Sequence, residues 1–468
     1  MSIVARHVNV GALRTTALLA SVAALALFPL YGDPKPSAAV SHPEWARMIL
    51  QGLDLLEEGS GVHDTATMAF ATLSGRDSRA LPADRYVRGN AVEVVDVEGI
   101  RHLRPTGPVG EAVYALAIAR SGDYRLRLRL AGRAPVEAEL APAGEDKPLA
   151  TFAVPATPAP AWVQAGVQHF DPGVYDATVL LGEGAVLDWI ELAPPCLQPI
   201  EPPGGWKPTA LATTEDVAVT VLQALDLESE LPPAALPLEW RGSDLRLDEG
   251  ALEPDVAAGV EPSFRAGRQG ARVTLLARIP EPGLYVLSVF GTATTGQRWL
   301  ADGCQKSLVC PSTDPVPRWR PVLASKFSSG PHYVSAVLGP GTEVLRLKLE
   351  RKKDAPADYV GTVERLGLEV GPSGPITREK AGEARRFLER RRAEELLALC
   401  GDILAPGTLV AEVAGAGVDP RSRRRSFLRC RRRAESYPSA TRRAQSDPDR
   451  AASGGSPSAL GRSSRMNL

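Results

Sequence analysis

The sequence predicts a mainly β protein: two tandem antiparallel β-sandwich, jelly-roll-like domains, each preceded by a helix, with an N-terminal membrane segment and a C-terminal helix. Three observations lead there. The chain repeats itself: Trp162, Phe170, Gly173 and Tyr175 recur as Trp319, Phe327, Gly330 and Tyr333, and only the last interval changes, by one residue. Gly122 and Tyr124 recur as Gly283 and Tyr285, and LQGLDLLEE (Leu50 to Glu58) recurs as LQALDLESE (Leu222 to Glu230). Repetition over such a distance marks a duplicated structural unit. Second, apolar residues alternate with polar ones in many short runs, the pattern of half-buried strands. Third, Gly (43) and Pro (41) make up about 18% of the 468 residues, against roughly 12% in an average protein, as many turns between short strands require.

Residues 1–39 read as a signal anchor or signal peptide. Arg6 and Arg14 precede the uncharged run Thr15 to Gly32, after which the chain turns polar at Asp33 and Lys35. Positive charge ahead of an apolar segment sends the following chain outward. The run is at the short end of the ~17 to 25 residues that span a bilayer, and the nearest small-residue cleavage site, Ser37-Ala38-Ala39, lies far from it. An uncleaved anchor through residues 15–32 is therefore favoured over a cleaved signal. The expected location is the bacterial inner membrane with periplasmic domains, or the periplasm or exterior if the segment is removed.

Residues 40–84 hold a first helix, Pro43 to Glu58, with Trp45, Met48, Ile49, Gly52, Leu53 and Leu56 at helical spacing. Residues 85–195 form the first sandwich. In YRLRLRLAG, Tyr124, Leu126, Leu128 and Leu130 face one way while Arg125, Arg127 and Arg129 line a solvated face. VEAELAPA, ATFAVPA, YDATVLLG and AVLDWIELAPP follow as strands. Residues 196–235 are a Pro-rich linker and a second helix, Thr214 to Glu228, with acids in its first turn. Residues 236–371 repeat the sandwich with ARVTLLARI, GLYVLSVFG, HYVSAVLG, EVLRLKLE and GTVERLGLEV as strands. Residues 372–404 carry a charged helix, Arg378 to Leu399, capped by Thr377. Its thin apolar stripe (Ala381, Ala384, Phe387 or Leu388, Leu396, Leu399) suits docking on the second sandwich, or recruitment of a partner.

Residues 405–468 read as a disordered Arg-rich tail. The last 48 residues hold 13 Arg, no Lys and three acids, Glu435, Asp447 and Asp449. Arg without Lys, interleaved with Ser and Pro, fits a frameshifted end beyond about Pro420, or a solvated tail for anionic polymers. With the formal net charge at −1, removing that local +10 leaves about −11 on the rest. An acidic body argues against nucleic acid as a partner, because phosphate binding needs a basic face.

Catalytic signatures are missing from the sequence. It has no Gly-x-Ser-x-Gly elbow, no His-Glu-x-x-His and no Gly-rich phosphate loop, and its six histidines stand at no metal-ligand spacing. No catalytic residue, cofactor or metal is expected. Cys304 and Cys310 bracket a short insertion and are expected to form a loop-closing disulfide in an oxidising compartment.

GDYRLRLRLAG, GLYVLSVFGTA, the Trp and Gly that follow each, and the closing strand Leu187 to Leu192 resemble the galactose-binding-like β-sandwiches, including carbohydrate-binding modules of families 6 and 35. The resemblance covers about residues 85 to 195 and 236 to 371. It implies sugar binding by aromatic side chains, with Trp162 and Trp319 as ligand candidates, since an indole face stacks on the apolar face of a sugar ring. Packing of both indoles in the core or at a strand edge is the competing reading. The resulting expectation is an exported, non-enzymatic, two-module binding protein of the bacterial envelope that recognises envelope polysaccharide. The alternative is a structural or assembly protein of the periplasm whose C-terminal helix holds an envelope protein.

Overall fold

The computed structural model describes residues 38–56, 66–97, 99–145, 147–255, 263–293, 297–308 and 314–401. The membrane segment read at 15–32 and the tail at 405–468 lie outside the described residues. No described helix is long and apolar enough to cross a membrane. Both sandwiches and the helices that join them belong to the first of two compact units, Met1–Glu394; of the second, Glu395–Leu468, the described part is helical as far as Gly401.

The first sandwich contains β1 (Arg79–Pro82), β2 (Arg88–Asn90), β3 (Val92–Val97), β4 (Ile100–Pro105), β5 (Val109–Ile118), β6 (Gly122–Ala131), β7 (Val136–Pro142), β8 (Ala150–Val154), β9 (Ala161–Phe170), β10 (Gly173–Gly182) and β11 (Val186–Ala193). One sheet runs β3-β4-β11-β6-β9 with β1 beside β11; the other runs β2-β5-β10-β7-β8. β1 begins before residue 85, so the sheet starts earlier than the alternation suggested. Alternation sets the core between the sheets: Tyr124, Leu126, Leu128 and Leu130 of β6 are buried with Ile190 and Leu192 of β11 and with Tyr114, Val179 and Leu140 of the facing sheet.

The second sandwich contains β12 (Leu238–Arg241), β13 (Arg246–Asp255), β14 (Ser263–Ile279), β15 (Gly283–Ala293), β16 (Gln297–Ala301), β17 (Cys304–Leu308), β18 (Asp314–Phe327), β19 (Gly330–Leu338) and β20 (Glu343–Arg351). Its order is β17-β16-β19-β14-β20-β15-β18, with β12 on β20 and β13 on β14. This is the first connectivity again, with β14 replacing β4 and β5 as one long strand that passes between the layers: its end pairs with β19 and its start with β20. Even the irregularities recur. The β6–β9 register slips between Leu126 and Arg127, and the β15–β18 register slips at the matching step, between Leu287 and Ser288.

Register also corrects one repeat assignment. Gly173 lies opposite Ile118 and Gly330 opposite Ile279, so the residue two steps on, Tyr175, has His332 as its counterpart and not Tyr333. Side chains alternate faces along a strand, and the one-residue offset therefore turns Tyr333 outward, where it is 58% exposed, while Tyr175 is buried. The rings agree: Tyr175 packs edge-on to Phe170 at 4.6 Å, and His332 edge-on to Phe327 at 5.0 Å.

Five helices build a third core: α1 (His42–Gly52), α2 (Ala66–Ser74), α3 (Thr214–Ala224), α4 (Pro356–Arg365) and α5 (Arg378–Gly401). α2 was not anticipated. α4 replaces a strand expected from GTVERLGLEV: Pro356 sits in its first turn, Ala355 N–H donates to Asp358 at 3.2 Å, and Tyr359, Thr362 and Val363 bury at helical spacing. A proline is pre-set for that first-turn position. α1 and α3 stop earlier than expected, at Gly52 and Ala224, because Asp54 (φ 57°) and Asp226 (φ 55°) turn left-handed in the shared Leu-Asp-Leu sequence. Leu55 N–H then reaches back to the Leu50 carbonyl and Leu227 N–H to that of Leu222, which satisfies helix-end carbonyls in the same way twice. The first part of the α5 stripe, Ala381, Ala384, Phe387 and Leu388, is buried in this helical core; the side chains of Leu396 and Leu399 lie outside the described residues.

The segments that lead into α1, α3 and α5 form a closed ring. Val40 N–H donates to Ile376, Ile376 to Ala212, and Ala212 back to Val40, at 3.1, 2.9 and 2.8 Å. A second tier runs from His42 to Ala210, from Thr214 to Gly374 and from Arg378 to Ala38. Ser41, Thr213 and Thr377 then cap the three helices identically, each accepting from the N–H three residues on. The helix entry is thus present three times, although the sandwich is present twice.

Candidate functional site

Trp162 and Trp319 lie on β9 and β18, strands at the ends of equivalent sheets, and face out of the sandwiches. They are 39% and 40% exposed. This placement excludes burial of the indoles in the core and puts both on edge strands, the strand-edge position of the competing packing reading. Trp162 is opposite Arg129 of β6, and Arg129 is opposite Trp189 of β11 on its other side. Directly opposed residues share a face, and strands are about 4.8 Å apart. The backbone positions of the two tryptophans are therefore about 10 Å apart, with that of Arg129 between them. One row away, Gln164, Arg127 and Glu191 are aligned, with the Arg127 guanidinium 5.1 Å from the Trp162 ring centre and 2.8 Å from Glu191. Arg125, in the next row, is exposed and makes no ion pair among the described residues.

Within this face the bulge at Leu187/Trp189 holds Asp188, which is buried against His102 and stands 3.4 Å from Arg129. That carboxylate anchors Arg129 beside Trp189. The alternation of β6 fixed the arginines on this side, as expected. Trp189 was legible only as part of a closing strand; opposition across β6, a long-range pairing, makes it the partner of Trp162.

In the second copy the same place is occupied differently. Trp319 opposes Phe290, their rings 5.5 Å apart, and Phe290 opposes Arg346, which opposes Arg241. The counterpart of Arg127 is Ser288. Over this small residue Lys348 of β20 reaches from two strands away, its ammonium 4.9 Å from the Trp319 ring centre. A cation covers part of each indole, yet it comes from a different strand in each copy.

A second cluster escaped sequence reading. Ser121, in the β5–β6 turn, lies with its hydroxyl 3.2 Å from His169 Nε2, and His169 Nδ1 is 2.7 Å from Asp123. These distances mimic a nucleophile–base–acid relay. The Ser121 hydroxyl, however, also donates to Asp171 at 3.1 Å, and Arg298 of the second sandwich donates to both Asp123 oxygens at 3.1 and 3.2 Å. Ser121 itself is buried. What the cluster does physically is join the two sandwiches through charge-assisted hydrogen bonds. Among the described residues no group of three or more His, Cys, Asp or Glu is arranged to hold a metal ion.

The disulfide expected between Cys304 and Cys310 is not the one formed. Cys304 bonds to Cys196, with Cα atoms 4.5 Å apart, and Cys310 lies outside the described residues. The tight β16–β17 turn through Asp302 and Gly303, both left-handed, places Cys304 beside Ala301 at the hairpin end, where the inter-sandwich linker passes.

No family model matches the sequence, and no curated protein matches it. Solved structures do. The C-terminal family 6 carbohydrate-binding module of a laminarinase from Zobellia galactanivorans is 17% identical, with 25% of this chain and 99% of that one covered and a TM-score of 0.23. A family 35 carbohydrate-binding module from Clostridium thermocellum is 18% identical, with 25% and 98% covered and a TM-score of 0.21. A family 6 module from Clostridium stercorarium in complex with cellobiose is 14% identical, with 26% and 97% covered and a TM-score of 0.23. The chain thus resembles these modules, weakly and over about a quarter of its length.

Proposed function

We propose that the chain is a non-enzymatic carbohydrate-binding protein with one binding face on each sandwich. The observation that carries this reading is the placement of Trp162 and Trp319 at one strand position of both copies, half exposed on a sheet face instead of buried between sheets. An outward indole beside a second aromatic offers a sugar ring the apolar surface it stacks on, and adjacent cations and amides offer its hydroxyls polar partners. Burial of α5 as far as Leu388 leaves that part of its stripe unable to recruit a partner, which disfavours the assembly reading. Export to a bacterial envelope rests on Arg6, Arg14 and the run at 15–32; a topology reporter fused after residue 40 tests it.

The binding test is a polysaccharide panel in affinity gel electrophoresis with Trp162→Ala, Trp319→Ala and the double variant. Retardation by at least one polysaccharide, weakened in each single variant and lost in the double with an unchanged melting temperature, is expected. Retardation that survives in the double variant overturns the assignment of these faces.

A further inference from the structure

The geometry points to an acidic polysaccharide, one that carries carboxylates along its chain, as the ligand of the two tryptophan faces. This rests on the carbohydrate-binding reading above and narrows it. Outside the last 48 residues the chain carries about −11, so cations gathered on one surface stand against the prevailing sign. Around Trp162 they are Arg125, Arg127 and Arg129, balanced in part by Glu191 and Asp188. Around Trp319 they are Arg241, Arg346 and Lys348, with Glu239 as the one acid in the same two rows.

Two features set this apart from ordinary surface charge. Arg125 and Arg241 are exposed and make no ion pair among the described residues, and the Lys348 ammonium rests on the Trp319 ring without an ion pair among them. The duplication also retains a cation beside the indole while changing its source, from Arg127 on the neighbouring strand to Lys348 reaching over Ser288. A ligand that needs both an aromatic platform and a positive charge accounts for that retention. Guanidinium forks match planar carboxylates two bonds at a time, and clustered charge raises the encounter rate with a polyanion.

The test compares polygalacturonate with the same polymer methyl-esterified, alongside a neutral glucan and a single-stranded oligonucleotide, using the full chain and the variants Arg125→Gln and Lys348→Gln. Expected are preferential binding of polygalacturonate, weakening as salt rises, and about a three- to tenfold loss in each variant, the range of exposed to charge-assisted contacts, with unchanged melting. Equal, salt-insensitive binding of both polymers, or binding of the neutral glucan alone, overturns the acidic-ligand inference and leaves the carbohydrate reading intact. Failure with every polysaccharide overturns both. Tighter binding of the oligonucleotide than of polygalacturonate reassigns the faces to nucleic acid.

Discussion

Trp45 of α1 donates its indole N–H to the Thr220 hydroxyl of α3 at 2.9 Å, and both side chains are fully buried. Thr220 in turn donates to the Asp216 carbonyl one turn earlier in its own helix, at 2.7 Å. The bond joins the two copies of the repeated helix where no water can replace it. Thr220→Val keeps the shape and removes the acceptor, and a buried donor left without a partner costs about 1–3 kcal/mol. Chemical denaturation should show that loss with an unchanged m-value; an unaltered midpoint would contradict the pairing.

The Cys196–Cys304 link spans 108 residues of sequence and fastens the linker to the second sandwich. Removing a native disulfide typically costs about 2–5 kcal/mol. Cys196→Ser should lower the melting temperature in non-reducing buffer and leave the reduced protein nearly unaffected. Peptide mapping without reductant should recover Cys196 joined to Cys304. A Cys304–Cys310 peptide would restore the expectation drawn from sequence spacing.

Gly291 sits at a register slip of β15 and β20, and a Cβ there would stand 1.9 Å from the Glu343 carbonyl oxygen. Backbone, not a yielding side chain, blocks the space. Gly291→Ala should therefore cost more than the ~1 kcal/mol centre of ordinary substitutions, read as a clear fall in melting temperature. A variant as stable as the parent would show that the strands pair otherwise.

Burial pushes the Tyr124 hydroxyl up to about 12, although it donates to the Arg120 carbonyl at 2.9 Å. A group whose folded value lies above its unfolded one contributes stability below the unfolded value and loses it as pH rises through the folded one. Stability should thus be flat to about pH 10 and fall between about 10 and 12. Phenolate absorbance and circular dichroism should change together over that range, and Tyr124→Phe should shift the transition to higher pH. Free ionisation of Tyr124 near pH 10 without unfolding would contradict its burial.

Much of the sheet architecture was readable because alternation is a local signal. The β6 residues Tyr124 to Leu130 declare their buried side directly, and the paired Gly-x-Tyr starts fix where β6 and β15 begin. The exception shows the limit: in GTVERLGLEV, Leu366, Leu368 and Val370 alternate as in a strand, and only Pro356 and Tyr359 upstream, at helical spacing with Thr362 and Val363, mark α4. Long-range events were closed to such reading. Trp189 shares a row with Trp162 only through strand order, Ser121 meets His169 only because β6 pairs with β9, and the ring at Val40, Ala212 and Ile376 is made by backbone groups that carry no side-chain signature. The tryptophans themselves were found by repetition, which reports that a residue is retained and not whether packing or binding retains it.

The ring also orders events during synthesis. Each sandwich gathers its own strands from a contiguous stretch and can collapse as it leaves the ribosome. The helical core cannot, because Val40 waits for Ala212, and both wait for Ile376, the third and last strut of the ring to be translated. A nascent chain halted before residue 376 would carry two finished sandwiches, already joined through Arg298 and Asp123, beside a helical core that lacks its third strut.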